Sequence, residues 1–343
     1  MVSMQKNKWF ALVFVIIAAL VLLLFPSEPK MRYYHHEGKI FGTYYNIRYE
    51  GSMDLHNQIQ ERLASFDASL SMFNQQSVIA RINRNEEVST DSLFEHMYHE
   101  AQIISQLSDG AFDITVAPLV NLWGFGLKHG HAGDVSQAMV DSVKAYVGYE
   151  KVELVDHRLQ KDDARITLDA SAIAKGYGTD VVADVLREAG CENYLVEIGG
   201  EVVLKGVNDK GEAWRVGISR PKTDADGMDD GLQYIIQSSE LCLATSGNYL
   251  QYYYHDGQRR SHTIDPRTGY PVQHGLLSAT VVASTCMRAD ALATACMVLG
   301  PDASIEMIEK TRDAACYLIV AKDTQLHVVT SGRWMQNDSI KAN

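Results

Sequence analysis

Apolar residues recur along this chain with two different periods, and the shorter period predicts strands. Tyr45, Ile47 and Tyr49 are separated by polar residues, which indicates a half-buried strand within residues 41–49. Residues 194–204 predict two strand segments joined through a double glycine. Further strands are expected over residues 165–169, 214–218 and 241–249.

The longer period predicts helices between these strands. Apolar residues at helical spacing indicate helices over residues 55–66, 92–107 and 179–189. Ser108-Asp109-Gly110 and Gly190 end the second and third of these helices. Ser77 is placed to cap a short helix.

The order of these elements predicts the fold class. Strands and helices are mixed without a regular βαβ period, so we expect an α+β fold with mixed sheets and flanking helices. Neither GxGxxG after a strand nor GxxxxGK[ST] occurs, so a bound nucleotide must be held in another way. Residues 31–343 are long enough for a substantial core, and we expect them to form one large domain.

The N-terminal segment is different in character. Lys6 and Lys8 precede an unbroken apolar run from Trp9 to Phe25, and Pro26 follows. This pattern predicts an uncleaved membrane anchor within residues 1–30, with the amino terminus on the cytoplasmic side and the body on the far side. A cleaved signal peptide is the alternative.

Charge and cysteine content exclude some classes of function. The net charge of −12 and the pI of about 5.4 argue against nucleic-acid binding, which needs clustered lysine and arginine. The five cysteines include no CxxC pair, so neither a zinc site nor a disulfide framework is expected. We expect the cysteines to be buried as small apolar side chains. If the body is exported, one disulfide is the alternative for two of them.

A C-terminal segment carries the first candidate chemistry. Asp290 and Thr294 stand four residues apart, so a helix would point both oxygens to one side. Such hard ligands suit Mg²⁺, which commonly takes one or two carboxylates together with substrate phosphates. In the alternative, Asp290 caps a helix that starts there and Thr294 bonds back to the preceding turn.

A second candidate site lies earlier in the chain. Residues 165–169 predict a strand that leads into the small-residue segment 170–178 and then a helix. The free N–H groups at a helix start favour an anion, and Lys175 adds a positive charge. In the alternative, Asp169 is a helix cap and Lys175 is solvated surface.

Eight motifs in chain order resemble those of the ApbE family, the FAD:protein FMN transferases. They are FGT (41–43), LSMF (70–73), DGAFDIT (109–115), LDASAIAKGY (168–177), EIGG (197–200), TSG (245–247), HTIDPRTG (262–269) and ADALAT (289–294). The resemblance implies cleavage of the FAD pyrophosphate and transfer of FMN to a Thr or Ser of a target protein, with release of AMP.

The resemblance also implies the site residues. The implied FAD-lining residues are Phe41, Phe73, Ala111, Phe112, Asp113, Asp169, Lys175 and Ile264. The implied Mg²⁺ ligands are the backbone carbonyl of Ala172 and the side chains of Asp290 and Thr294. Position 41 is more usually methionine in this family, and phenylalanine still supplies an apolar wall.

The implied reaction agrees with the chemistry of the residues. Phosphoryl-type transfer depends on positioning and on neutralising charge, which Mg²⁺ and Lys175 can supply. His262 is the candidate base for the acceptor hydroxyl, because an unperturbed histidine titrates near neutral pH. A structural role, in which His262 orients Asp265 or the loop, is the alternative.

Partners and location follow from the same resemblance. We expect a bacterial inner-membrane protein whose catalytic domain lies in the periplasm or outside. The expected acceptors are flavinylated subunits of the sodium-pumping NADH:quinone reductase or of Rnf-type electron-transfer chains. Two alternatives share the site: an FAD pyrophosphatase that gives FMN and AMP, and a flavin-binding protein without turnover.

Overall fold

A computed structural model describes residues 30–126, 134–221, 231–248, 252–255, 258–322, 325–336 and 341–342, together with Phe14. The longer strands are β1 (Arg32–Ile40), β2 (Thr43–Gly51), β3 (Val152–Val155), β4 (Arg158–Lys161), β5 (Tyr194–Ile198), β6 (Glu201–Lys205), β7 (Trp214–Ser219), β8 (Leu232–Ser238) and β9 (Glu240–Gly247). The remaining strands are β10 (Tyr252–His255), β11 (Gln258–Ser261), β12 (Ile264–Asp265), β13 (Tyr270–Pro271), β14 (Leu276–Val282), β15 (Ala315–Lys322), β16 (Gln325–Thr330) and β17 (Lys341–Ala342).

Nine α-helices lie within these described ranges. They are α1 (His56–Leu70), α2 (Val78–Asn83), α3 (Ser92–Leu107), α4 (Ala117–Leu122), α5 (Gln137–Lys144), α6 (Ala174–Glu188), α7 (Cys286–Leu299), α8 (Pro301–Lys310) and α9 (Gly332–Gln336). A single turn of 3₁₀-helix spans Tyr149–Lys151.

An eight-stranded sheet with the order β1-β2-β5-β6-β9-β14-β15-β16 organises the fold. Each neighbouring pair in this sheet is antiparallel. One face packs against helices that include α1, α6 and α7, and the other face contacts the smaller sheet β17-β8-β7 through a cluster that contains Trp214 and Trp334. The predicted combination of sheet and flanking helices is confirmed, but the prediction of mixed sheets is wrong, because the strand pairs of the described residues are antiparallel.

Helix α7 is buried on nearly all sides, and its sequence explains why. The helix is built mainly from alanine, cysteine, methionine and leucine, so it lacks a continuous polar face and is covered on most sides. It packs against β9 and β14 of the large sheet and against α6. Asp290 therefore lies in one of the most enclosed parts of the molecule, where a charge needs a partner.

Several predicted elements agree with the structure. The alternating residues Tyr45, Ile47 and Tyr49 are buried along β2. Ser77 caps α2 by accepting a hydrogen bond of 3.1 Å from the backbone N–H of Ala80. The helix over residues 92–107 has the predicted limits, and two strands meet at the double glycine of residues 199–200.

The predicted strand over residues 165–169 is wrong. Asn83 forms two hydrogen bonds with the backbone of Leu168, and Lys161 donates to the carbonyl of Ile166. The backbone N–H of Asp169 donates to the carbonyl of Ile114 at 2.7 Å. Side chains and a distant loop thus satisfy the groups that a neighbouring strand would otherwise have taken.

Two helix limits also differ from the sequence prediction. Helix α6 begins at Ala174 and not at residue 179, so Lys175 lies inside its first turn. Helix α7 begins at Cys286, and the side chain of Thr285 caps it by accepting from the backbone N–H of Arg288. The alternative in which Asp290 caps a helix that starts there is therefore wrong.

One prediction lies outside the described residues. It is the membrane anchor over the apolar run of residues 9–25, of which the structure describes only Phe14. Among the helices of the described ranges, none combines the length and apolarity needed to cross a bilayer.

Candidate active site

The first turn of α6 meets the second turn of α7 at Gly176 and Asp290. The backbone N–H of Gly176 donates a hydrogen bond of 2.9 Å to Oδ2 of Asp290. A Cβ at position 176 would lie 2.3 Å from the carbonyl oxygen of Cys286 and 2.7 Å from Cβ of Asp290. Only glycine permits this approach, which brings the two sequence-distant motifs together.

Asp180 holds the same two helices together one turn further along α6. Its two carboxylate oxygens accept hydrogen bonds of 3.0 and 2.8 Å from the backbone N–H groups of Cys286 and Met287. These donors are the free N–H groups of the first turn of α7, where a negative charge is favourable. Burial nevertheless raises the pKa of Asp180 to about 6.

Lys175 pairs with a buried acid that the sequence analysis did not single out. Its ammonium forms an ion pair with Oε1 of Glu201, the first residue of β6. Glu201 is 1% exposed, whereas the lysine side chain remains 32% exposed. The alternative that treats Lys175 as solvated surface is therefore wrong.

The turn between β5 and β6 places Glu201 in the site. Gly199 and Gly200 have φ values of +64° and +103°, which side chains rarely tolerate. A Cβ at Gly199 would lie 3.3 Å from Cδ of Lys175 and 2.8 Å from Cγ2 of Thr43. The double glycine thus gives the lysine stem room between two hairpin turns.

Two buried carboxylates face one ammonium in this cluster. Burial and the neighbouring Asp290 raise the pKa of Glu201 to about 8, although Lys175 lowers it. Burial also raises the pKa of Asp290, against the opposing effect of Lys175 and Gly176. Burial disfavours the charged form of Lys175, but attraction to Asp290 and Glu201 outweighs burial and raises its pKa. Two carboxylates thus share one ammonium, and an added cation would favour the ionised form of both acids.

Thr294 stands one turn beyond Asp290 on α7. Its Oγ1 lies 3.2 Å from Oγ of Ser246, near the end of β9. Hydroxyl and carboxylate oxygens thus follow each other along one side of α7, as their spacing predicted. Within the described residues no cluster of three His, Cys, Asp or Glu is arranged for a metal ion, so a cation here depends on hydroxyl or carbonyl oxygens as well.

These residues fit the implied Mg²⁺. The donor set contains only oxygen, which suits a hard cation, and a divalent ion would compensate the buried carboxylate of Asp290. Ala172 is half-buried and lies just before α6 begins, so its segment adjoins the lysine and Gly176. The assignment of Ala172, Asp290 and Thr294 as ligands stays a prediction.

The loop before α6 carries Asp169. Its Oδ1 accepts a hydrogen bond of 2.8 Å from the backbone N–H of Ser171, two residues on. The residue that precedes α6 is Ile173, and its side chain makes no capping hydrogen bond. The alternative that Asp169 caps a helix is therefore wrong, and its role in lining the FAD site stays a prediction.

Asp113 lies beneath the neighbouring loop with its polar contacts satisfied. Its Oδ1 accepts from the backbone N–H and the hydroxyl of Thr115, both at 2.7 Å. Its Oδ2 accepts from the backbone N–H of Tyr149 at 2.8 Å. Burial raises the pKa of Asp113 to about 6, and Ala111 and Phe112 beside it are each 1% exposed. These three side chains shape the loop from within.

Phe41 and Phe73 meet at the turn between β1 and β2. Phe41 and Gly42 have φ values of +52° and +75°, as a two-residue type I′ turn requires. This conformation is uncommon for a phenylalanine, whose ring packs 5.1 Å from that of Phe66. Phe73 is 65% exposed, and a Cβ at Gly42 would lie 3.7 Å from its ring. Phe73 can therefore stack against a planar ligand.

The remaining predicted residues lie on the segment that contains β12. His262 is half-buried, and its ring centroid lies 6.4 Å from that of Phe125. Ile264 is buried in a cluster with Trp123 and Val147. The ring of His262 thus contacts the segment just after α4, and Lys175 and Asp290 belong to the helix junction described above.

Arg267 orients an acid of the motif at residues 262–269. It pairs with both carboxylate oxygens of Asp265 at 2.9 Å, and a Cβ at Gly110 would lie 3.7 Å from its Cγ. Asp265 is therefore oriented by the arginine beside it in sequence. Glu201 could have been noticed as an acid that follows two glycines and begins an otherwise apolar strand.

The fold and this site define a class of protein: a mixed α/β protein with a large antiparallel sheet and a glycine-lined site of buried acids, hydroxyls and one lysine. The model of the ApbE family matches residues 41–318, and the chain belongs to this family. The resemblance inferred from the eight sequence motifs is confirmed.

Relatives with assigned activities cover most of the chain. It is 35% identical over 324 residues to an FAD:protein FMN transferase of Haemophilus influenzae, covering 90% of this chain and 92% of that protein. It is 36% identical over 320 residues to an FAD:protein FMN transferase of Vibrio cholerae, covering 90% of this chain and 94% of the relative.

Solved structures have the same fold. The flavin transferase ApbE from Vibrio cholerae aligns with a TM-score of 0.79 at 35% identity, covering 90% of this chain and 99% of that one. The apo form of the Pseudomonas stutzeri flavinyl transferase ApbE aligns with a TM-score of 0.80 at 30% identity, covering 90% and 98%.

Proposed function

We propose that this protein is an FAD:protein FMN transferase. It cleaves the pyrophosphate of FAD and joins the FMN phosphate to a Ser or Thr hydroxyl of an acceptor protein, and AMP leaves. The observation that carries the proposal is the junction of Lys175, Gly176 and Asp290. There the lysine ammonium and the backbone N–H of Gly176 both interact with the buried carboxylate of Asp290. The names of the relatives support the same reaction.

In this proposal, one residue of the junction attracts the phosphates of FAD and others hold the metal ion. Lys175 carries a partly exposed positive charge at the start of α6, where it can attract the phosphates of FAD. Asp290 and Thr294, with the carbonyl of Ala172, would hold Mg²⁺. When bound, Mg²⁺ neutralises charge on the phosphate oxygens during transfer.

His262 takes the proton from the acceptor hydroxyl in this proposal. Its ring contacts that of Phe125. Because the residue is only half-buried, it lies near the surface of the protein. A base at the surface suits an acceptor that is itself a protein. The flavin ring lies against Phe73 and Phe41, and Asp169, Asp113 and Ile264 shape the rest of its pocket.

We further propose the location and partners that the sequence suggested. Residues 1–30 anchor the protein in a bacterial inner membrane, and residues 31–343 form the catalytic domain in the periplasm or outside. The apolar run with two preceding lysines supports this orientation. Acceptors are flavinylated subunits such as those of the sodium-pumping NADH:quinone reductase or Rnf-type chains.

Mass spectrometry of an acceptor tests the proposed activity directly. The full chain is incubated with FAD, MgCl₂ and a recombinant flavinylated-subunit domain, and we expect one covalent FMN on a Ser or Thr together with one AMP. Release of FMN and AMP without labelling of any acceptor would identify a pyrophosphatase instead. Intact FAD after incubation would identify a binding protein without turnover.

A further inference from the structure

Glu201 is a buried acid in the site to which the motifs assign no role. Its Oε1 pairs with the ammonium of Lys175, and its Oε2 is buried without a hydrogen-bond partner in the part of the chain that the structure describes. A carboxylate in such surroundings costs free energy, and its ion pair offsets only part of that cost. Its position therefore calls for an explanation other than stability.

The lysine gains a fixed position from this pair. A lysine ammonium sits on four flexible CH₂ groups and can point in many directions. Here the stem runs past Gly199, and the ammonium is held at the start of β6 while it also interacts with Asp290. The ammonium is thereby kept beside the start of α6, whose backbone N–H at Gly176 binds Asp290.

We propose that Glu201 is a positioning residue that acts through Lys175, holding the ammonium where the phosphates of FAD bind. This inference rests on the proposed function. Glu201 does not touch the substrate, because its side chain lies under the lysine and is 1% exposed. Glu201 affects the reaction only by fixing the position of the Lys175 ammonium.

A double-mutant cycle tests this dependence. Glu201→Gln alone is expected to lower kcat for FMN transfer by about 10-fold or more, because misplacement of a catalytic charge by an ångström can cost about 100-fold. Lys175→Met lowers kcat further. Adding Glu201→Gln to Lys175→Met should change kcat by less than about 2-fold, because the two residues act as one unit.

Two readouts separate positioning from a structural role. The Kd for FAD, followed by flavin fluorescence with MgCl₂ present, should change less than about 3-fold in Glu201→Gln, since the loss falls on the transition state. The Tm should fall in Lys175→Met, which leaves a buried acid unpaired, and recover when Glu201→Gln is added.

Glu197→Gln is the matched control. Glu197 lies on the same hairpin, but it pairs across with Val202 and so points to the face opposite that of Glu201. It should keep the wild-type kcat. If Glu201→Gln yields too little folded protein, Glu201→Asp keeps the charge on a shorter side chain, and the same loss of kcat is expected.

Three outcomes overturn the inference: wild-type kcat in a folded Glu201 variant, a loss confined to KM, or additive effects in the cycle. These differ from failure of the proposed function. An unmutated protein that attaches no FMN and releases no AMP contradicts the proposed function itself. An active wild type with an equally active Glu201→Gln variant contradicts the inference alone.

Discussion

The backbone N–H of Gly176 donates a 2.9 Å hydrogen bond to Oδ2 of Asp290, and this contact links two residues 114 positions apart. The bond leaves the other carboxylate oxygen of Asp290 for a further interaction, beside the positive charge of Lys175. Asp290 is 2% exposed, so its charge must be compensated inside the protein.

Asp290→Ala should abolish turnover far more than it weakens FAD binding. Loss of the buried carboxylate removes the expected metal ligand, and we expect kcat to fall by about 100-fold or more. The Kd for FAD, measured by fluorescence, should rise much less, because Lys175 and the aromatic residues remain. Equal losses of kcat and of FAD affinity would show that the metal serves binding only. EDTA should reproduce the loss in the wild type.

Thr294→Val should raise the Mg²⁺ concentration needed for half-maximal rate. Valine keeps the shape of threonine but removes the hydroxyl that lies 3.2 Å from Ser246, and metal sites typically lose about 10–100-fold in affinity when a polar partner is removed. Saturating MgCl₂ should restore most of kcat. Thr294→Ser retains the hydroxyl and is the control. An unchanged Mg²⁺ dependence in Thr294→Val would remove Thr294 from the ligand set.

Gly176→Ala tests the close approach of α6 and α7. The added Cβ would lie 2.3 Å from the Cys286 carbonyl, so the helices must separate. We expect a loss of stability of about 1–3 kcal/mol from overpacking, measured by urea unfolding, together with loss of activity. Gly332→Ala is the control, since its new Cβ would lie 3.4 Å from Glu309, in ordinary contact. Wild-type stability in Gly176→Ala would mean that the junction tolerates separation.

The sequence predicted the motifs of this junction but not their contacts. Periodicity sufficed for β2 and α3 because their apolar residues face one core each. It failed for residues 165–169, where the backbone of Leu168 bonds to Asn83 and that of Asp169 bonds to Ile114. No local pattern reports partners that lie about fifty or more residues away.

The same limit explains the site residues that were missed. The sequence alone predicts that Glu201 is a solvated residue at the end of a strand. Only the structure shows that it forms an ion pair with Lys175. The sequence alone predicts that Asp180 is an exposed polar residue on a helix. It is buried because α7 begins beside it and donates two backbone hydrogen bonds to its carboxylate. The spacing of Asp290 and Thr294, by contrast, is local to one helix, so the sequence could predict that they share a side.

The pKa of Asp180 predicts how stability varies with pH. Burial raises this pKa from 3.8 to about 6, so the folded state binds a proton more readily than the unfolded state. The free-energy penalty of the ionised acid is therefore full above about pH 6 and disappears as the pH falls through 6 toward 4. Asp180→Asn removes this penalty at the cost of one hydrogen-bond acceptor.

Urea unfolding at two pH values checks this sign. The free energy of unfolding of Asp180→Asn minus that of the wild type should be larger, meaning a relatively more stable variant, at pH 7 than at pH 5, by on the order of 1–2 kcal/mol. Asp302→Asn, at an exposed position in the first turn of α8, should show no such change. A difference of opposite sign would mean that the N-terminus of α7 stabilises the Asp180 charge more than burial opposes it.

His262→Ala separates proton transfer from FAD binding. If His262 is the base, its loss should lower the rate of FMN transfer by about 100-fold or more, the usual contribution of a general base. The Kd for FAD should stay near the wild-type value, because His262 is proposed to act on the acceptor hydroxyl rather than to hold FAD. Transfer by the wild type should rise with pH through the range where histidine loses its proton, and the variant should lack this step. If His262 only orients its loop, His262→Asn should retain most activity and the pH step should persist.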